Sequence, residues 1–169
     1  MPKESLTVRT AIADDYESIA KLIHQSHTIS FAPFASREWV ESRLLSKYRD
    51  RWKELLSGNH STAATFVAHQ PDGTIVGTVR VASLESNEFD AQLNGMHVEP
   101  SATGHGIGSM LMERAIEFMK AQAFTNVELG VIASNDGARR FYEKHGWQLH
   151  NELPDGIEGV PIAIYSLKP

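Results

Sequence analysis

Between Val98 and Ala115 the chain reads "VEPSATGHGIGSMLMERA". A strand-like run stops at Pro100, glycines stand at 104, 106 and 108, and Leu111, Ala115, Phe118 and Met119 then fall on one helical face. Strand, bare loop and helix are expected in that order. Glycine frees the main chain to take positive φ and lets a ligand approach it closely. The helix start adds up to about four unpaired N–H groups and the positive end of the dipole. Anionic oxygens are the expected guests.

Several loops of this kind bind phosphate. A P-loop needs Gly-Lys-Ser/Thr at its end, whereas Gly108 precedes Ser109 and Met110, so that reading fails. A dinucleotide fingerprint needs a third glycine where Ser109 stands. Glu128 sits where a ribose-binding acid belongs, but Glu99 to Thr103 separate the strand from the first glycine. A glycine-rich turn without a ligand stays open, as does a different phosphate-bearing ligand.

The 169 residues suffice for one domain with a real core, and no repeat, linker or low-complexity tract divides them, so 1–169 is read as a single domain. Sixteen Lys and Arg against twenty-one Asp and Glu give a net charge of −5 without a basic stripe, which argues against a nucleic-acid partner. With no cysteine, a disulfide scaffold, a thiolate zinc site and a cysteine nucleophile are excluded; the eight histidines show no metal-ligand spacing. No run approaches about 18 apolar residues, and the start lacks a signal-like apolar stretch. A cytoplasmic protein with no membrane partner is expected.

Strands are expected at Leu6–Ala11, in a hairpin across the Gln70–Gly73 turn, and at 91–98, 127–132, 147–150 and 162–167. Helices are expected after a cap at Asp14 or Asp15 (with Ile19, Leu22, Ile23 and Ser26 on one face), and over 37–56, 107–123 and 136–144. His27 to Ser36 reads as an aromatic, proline-broken loop. Early helices, antiparallel strands and a late β-α-β unit suggest an α/β mixed sheet covered by helices.

"MHVEPSATGHGIGSMLME" resembles the diphosphate-binding segment of the GCN5-related N-acetyltransferases, Arg/Gln-x-x-Gly-x-Gly/Ala, with Thr103 in the Arg/Gln position. "NDGARRFYEKHGW", from Asn135, resembles the family's Asn-x-x-Ala-x-x-Phe-Tyr-x-x-x-Gly-Phe/Trp element. Fainter likeness in "YRDRWKELLSG", "TFVAHQPDGTIVG" and "GVPIAIYSL" extends over most of the chain. The resemblance implies a mostly antiparallel sheet of about seven strands with about four helices, and acetyl-CoA as co-substrate without a metal. It implies that the strand at Val98 splays from the one at Val127 to hold the pantetheine arm at Met96, His97 and Val98. Thr103, Gly104, His105, Gly106, Ile107, Gly108 and Ser109 would hold the diphosphate, His105 through its backbone alone. Asn135, Ala138, Arg139 and Tyr142 would complete the coenzyme site, Asn135 also capping its helix.

The implied reaction is direct attack of a primary amine, small-molecule or peptide, on the thioester; without cysteine there is no acyl-cysteine route. An amine of pKa about 10 is only about one part in a thousand neutral at pH 7, so its deprotonation needs help. Tyr142 is the candidate proton donor to the departing thiolate. Many relatives carry a general-base glutamate where this chain has Gln92. Asp90 or Glu88 acting through water is the candidate base, with Glu85 and His97 nearby; strict alternation sets His97 on the face opposite Gln92 unless the strand bulges. Phe31, Phe34 and Trp39 are candidate walls of the acceptor site, or ordinary core. The acidic late loop with Glu152, Asp155 and Glu158 either attracts a cationic amine or is simply solvated. A homodimer is left open. The rival functions are a non-catalytic acyl-CoA-binding module and, more distantly, a dinucleotide oxidoreductase.

Overall fold

The computed structural model describes residues 5–58, 60–157 and 159–169. Seven strands form one sheet: β1 (Thr7–Thr10), β2 (Ala63–His69), β3 (Ile75–Ser83), β4 (Ala91–Val98), β5 (Val127–Ile132), β6 (Gln148–Ile157) and β7 (Val160–Leu167). Their order is β1-β2-β3-β4-β5-β7-β6, and only β4 and β5 run parallel. That parallel pair follows from the crossover through a helix, α4 (Ile107–Ala121). The other helices are α1 (Tyr16–Gln25), α2 (Arg37–Glu41), α3 (Leu45–Leu56) and α5 (Asp136–Lys144).

The expected sheet is present, with five α-helices among the described residues in place of about four. The helical pattern of 37–56 is split because Ser42 Oγ donates to the Trp39 carbonyl at 2.6 Å and Leu44 is extended. Asp15 stands at the start of α1 but caps the turn before it, accepting from the Ile12 amide at 2.8 Å and pairing with Arg9 at 2.7 Å. The loop expected from His27 begins as helix: Ser26–Ser30 extends α1 by a π-helical turn, closed by Phe31 N donating to Ser26 O at 2.9 Å. The Gln70–Gly73 turn forms as expected, with Gly73 N donating to Gln70 O at 2.9 Å.

Alternation along the strands sorts two faces. α4 buries Leu111, Met112, Ala115 and Met119 in the cluster that contains Phe66, Val79, Val81 and Leu93. α1 and α3 bury Ile19, Ile23 and Trp52 over Val67 on the other face. Each of the larger aliphatic side chains contributes about 1.5–3 kcal/mol of apolar burial.

Two irregularities in β4 open the sheet on its α1–α3 side. The β3–β4 register slips between Thr78 and Arg80, where Gly95 takes φ +58°. A Cβ there would meet the Trp52 ring at 3.1 Å, so the bulge lets strand and helix touch. The extra residue reverses the alternation: Gln92, Asn94 and His97 pair with Ala82, Arg80 and Thr78, all on the α1–α3 face. Strict alternation, which set His97 opposite Gln92, is thereby corrected. Secondly, β4 and β5 pair only at Ala91–Val127 and Gln92–Glu128. Beyond those pairs the strands part.

The acidic stretch expected as a late loop is strand as far as Ile157, carrying Glu152 and Asp155 on β6; Glu158 lies outside the described residues.

Candidate active site

Where β4 and β5 part, a cleft of about 980 Å³ runs from the α1–α3 face into the gap. Gln92, Asn94 and Met96 of β4 and Leu129, Gly130 and Ile132 of β5 line its floor, and Tyr142 of α5 closes its far side. Ile157, Val160 and Ile162 of the β6–β7 hairpin form one flank.

The glycine loop lies at the end of β4, on the α4 side. Gly104 and Gly106 take φ +83° and +77°, and Gly106 is the residue on which α4 starts. Gly108 serves packing instead: a Cβ there would stand 3.2 Å from the Phe141 ring, so the third glycine lets α4 and α5 meet. The amides of Gly104 through Ser109 donate to no described residue. A run of open N–H groups at the positive end of a helix fits a diphosphate without further help. Thr103 differs from expectation, since its hydroxyl donates back to the Pro100 carbonyl at 2.9 Å. Ser109 Oγ lies 3.1 Å from His145 Nε2, which joins α4 to α5 while the Ser109 amide stays open.

On α5, Asn135 Oδ1 accepts from Ala138 N at 3.2 Å, the expected cap. Ala138 packs against the main core beside it. Tyr142 sets its ring edge-on to Phe141 and Trp147, with centroids 5.5 and 6.4 Å apart. Its hydroxyl bonds to no described residue, and burial pushes its pKa up to about 12. It is a neutral donor at physiological pH. Arg139 is otherwise engaged: Nε donates to Tyr165 Oη at 2.9 Å, Nη1 to Ala133 O at 2.8 Å, and Glu152 pairs with it at 3.2 Å. It ties α5 to β6 and β7 through Nε and Nη1, while Nη2 bonds to no described residue.

The candidate bases are not gathered with Tyr142. Gln92 lines the cleft; Asp90, Glu88 and Glu85 do not. Asp90 accepts from Thr125 N at 2.7 Å, Thr125 Oγ1 at 3.0 Å and Asn126 N at 3.0 Å, pinning the turn before β5. Burial would raise its pKa, but those hydrogen bonds outweigh it and hold the carboxyl below its usual range. Glu88 pairs with the His150 ring. His97 sits outside the cleft, 3.2 Å from Gln25 Oε1, and its burial lowers its pKa against the pull of Glu99. Phe31 lines the cleft and Phe34 does not; Trp39 is buried in the wall, where Nε1 finds no partner among the described residues.

Sequence reasoning passed over most of that wall. His27 Nδ1 lies 2.7 Å from the Tyr48 hydroxyl, and both line the cleft. Burial, then the charges of Arg43, His97 and His24, lower His27 to about 4. Burial raises Tyr48 against the opposing pull of Arg43. Arg43, Lys47, Arg51 and Arg80 also line the cleft, and among the described residues no Asp or Glu does. Lys47 and Arg51 stand one turn apart on α3, a spacing that lay in the open, whereas Arg43 comes from the break before that helix and only the fold brings Arg80 to the same cleft.

The family model described as "Acetyltransferase (GNAT) family" matches residues 24–147. A spermidine N(1)-acetyltransferase of Thermoplasma acidophilum is 23% identical, over 95% of this chain and 98% of its own. The uncharacterized N-acetyltransferase YuaI of Bacillus subtilis is 24% identical, over 96% and 91%. Among solved structures, the PaiA N-acetyltransferase of T. acidophilum in complex with coenzyme A superposes with a TM-score of 0.80 at 23% identity, covering 98% of this chain and 99% of that one. An N-acetyltransferase of Staphylococcus aureus gives a TM-score of 0.78 at 22% identity, covering 96% and 98%. The open amides at the start of α4, the parted strands and the family match agree: this chain belongs to the GNAT family of acetyltransferases, whose co-substrate is acetyl-CoA.

Proposed function

We propose that the protein moves an acetyl group from acetyl-CoA to a primary amine by direct attack in a ternary complex. The observation that carries this reading is the arrangement around the β4–β5 gap: amides on one side and a Tyr142 hydroxyl at the gap that have no partner among the described residues, and a large cleft on the other side. Gly104 to Ser109 grip the diphosphate, the open edge of β4 around Met96 to Val98 receives the arm, and the amine arrives through the cleft. A spermidine acetyltransferase among its relatives supports an amine as the acceptor class.

Asp90 and Glu88 have other partners, so no side-chain base is assigned to them. The cationic wall does part of that work: Arg51 and Arg80 disfavour an ammonium beside them and so favour the neutral amine, with water taking the proton. The amine lone pair forms the new C–N bond as the C–S bond breaks; the Tyr142 hydroxyl hydrogen-bonds and then protonates the departing sulfur, and the proton shed by the new amide nitrogen returns through water to the Tyr142 oxygen, so that a neutral amide and a thiol leave. Residues 1–169 act as one domain in this reading, in the cytoplasm. A homodimer would use the exposed edge strand β6, where Leu149, Leu153 and Ile157 face solvent.

The test is thiol release from acetyl-CoA across a panel of amines. Turnover is the expected result. Coenzyme A binding with no turnover on a broad panel would favour a non-catalytic acyl-CoA module instead.

A further inference from the structure

We infer that the acceptor carries an oxyanion, a carboxylate or a phosphate, beside its amine, and that Arg80 and Arg51 hold it. The inference rests on the acetyl-transfer reading and narrows its substrate class.

Arg80 is the central observation. It stands in mid-sheet on β3 and is only 7% exposed. Its one hydrogen bond among the described residues runs from Nη1 to Thr65 Oγ1 at 2.9 Å, and no described carboxylate pairs with it. A buried guanidinium held by one neutral hydroxyl is costly. Burial, and then the like charge of Arg51 in the same cleft, pull Arg80 below its ordinary range. Lys47 lies one helical turn before Arg51 on the same wall. A chain with a net charge of −5 has thus lined this cleft with cations and, among the described residues, with no acid.

Trp39 supplies an independent sign. It lines the same cleft, and its Nε1 is a buried donor without a partner among the described residues. Buried donors are almost always satisfied, so an acceptor is missing here too. An oxyanion in the cleft answers the need of Arg80, since it accepts two parallel bonds from a guanidinium fork, and Trp39 reports the same polar shortfall elsewhere in the wall.

The coenzyme's own phosphates do not supply it. Arg80 faces the α1–α3 side with its ladder partner Asn94, whereas the open amides belong to the start of α4 on the opposite face. A polyamine, cationic throughout, is the acceptor this wall repels.

The experiment uses matched amines with acetyl-CoA, read by thiol release: 4-aminobutyrate against butylamine, 2-aminoethyl phosphate against ethanolamine, phenylalanine against phenethylamine, and spermidine. The oxyanion-bearing partner of at least one pair is expected to have a kcat/KM about tenfold or more above its mate, carried by KM. The pair that shows it tells carboxylate from phosphate. Arg51→Gln, a change at an exposed position, should collapse that ratio toward one. Spermidine or an anion-free mate winning by a similar factor overturns the inference but leaves acetyl transfer standing. If no amine turns over, the indole N–H signal of Trp39 decides: with coenzyme A bound, millimolar phosphate or 4-aminobutyrate should move it, and less so in Arg51→Gln. No shift refutes the oxyanion site even if coenzyme A binds.

Discussion

Replacing Tyr142 by phenylalanine removes one oxygen at the gap between β4 and β5. The ring keeps its edge-on contacts with Phe141 and Trp147, and the lost hydroxyl has no described protein partner. Folding stability should therefore move by no more than about 0.5 kcal/mol, the range of changes that break no packing and strand no polar group. In the proposed mechanism, what disappears is a hydrogen bond to a sulfur that becomes anionic only as the C–S bond breaks. Bonds of that kind contribute about 1.5–3 kcal/mol, so turnover should fall by about 10- to 150-fold. Coenzyme A affinity should barely change, because the interaction belongs to the transition state. With Tyr142 at about 12, the deficit should be constant from about pH 6 to 9, since the hydroxyl does not ionise there. Single-turnover thiol release with a good acceptor, paired with coenzyme A titration and thermal melts, measures all three. A chemical step within twofold of the parent, in protein that melts normally, would show that Tyr142 is wall and not donor.

Gly106→Val forces a β-branched residue to φ +77°, costing about 1–2 kcal/mol of backbone strain at the mouth of α4; calorimetry should find coenzyme A binding abolished while circular dichroism still reports a folded sheet. Asp90→Ala should destabilise the fold by about 2–4 kcal/mol for the three lost hydrogen bonds, read as a lower melting temperature, and leave kcat/KM within about threefold; a large loss of rate in folded protein would return Asp90 to the candidate bases. His27 is held near 4 in the folded protein against about 6.5 unfolded, so the unfolded chain takes the proton first. Stability should be whole above about pH 6.5 and fall by up to about 3 kcal/mol towards pH 4; denaturant midpoints and the His27 ring signals both test this, and a ring titrating near 6.5 would contradict it.

Much of the frame was legible because local patterns and tertiary needs agreed. The β2–β3 hairpin follows from two β-branched runs joined by a Pro-Asp-Gly turn, α5 follows from a capped apolar face, and Asn135 caps α5 as its chemistry suggests. The glycine loop was legible in its conformation but not in its division of labour, since the Gly108–Phe141 contact joins two separate helices. The bulge at Gly95 could not be placed by alternation alone; it depends on the meeting of β4 with Trp52 of α3. Arg139 looked free within its motif, yet Tyr165 and Glu152 claim it from strands more than ten positions away. Asp90 looked available because Thr125 and Asn126 reach it only across the β4–β5 pairing. The cleft was least legible: its cations come from the turn before α3, from α3 itself and from mid-β3, which nothing local connects.

The central claim is that main-chain donors at the start of α4 bind the coenzyme's diphosphate. The most direct measurement is a coenzyme A titration followed by the backbone amide signals of the protein. Gly104 through Ser109 should shift most, saturating together with the binding isotherm, and desphospho-pantetheine should leave them nearly still. Coenzyme A binding that saturates while those amides stay in place would contradict the account.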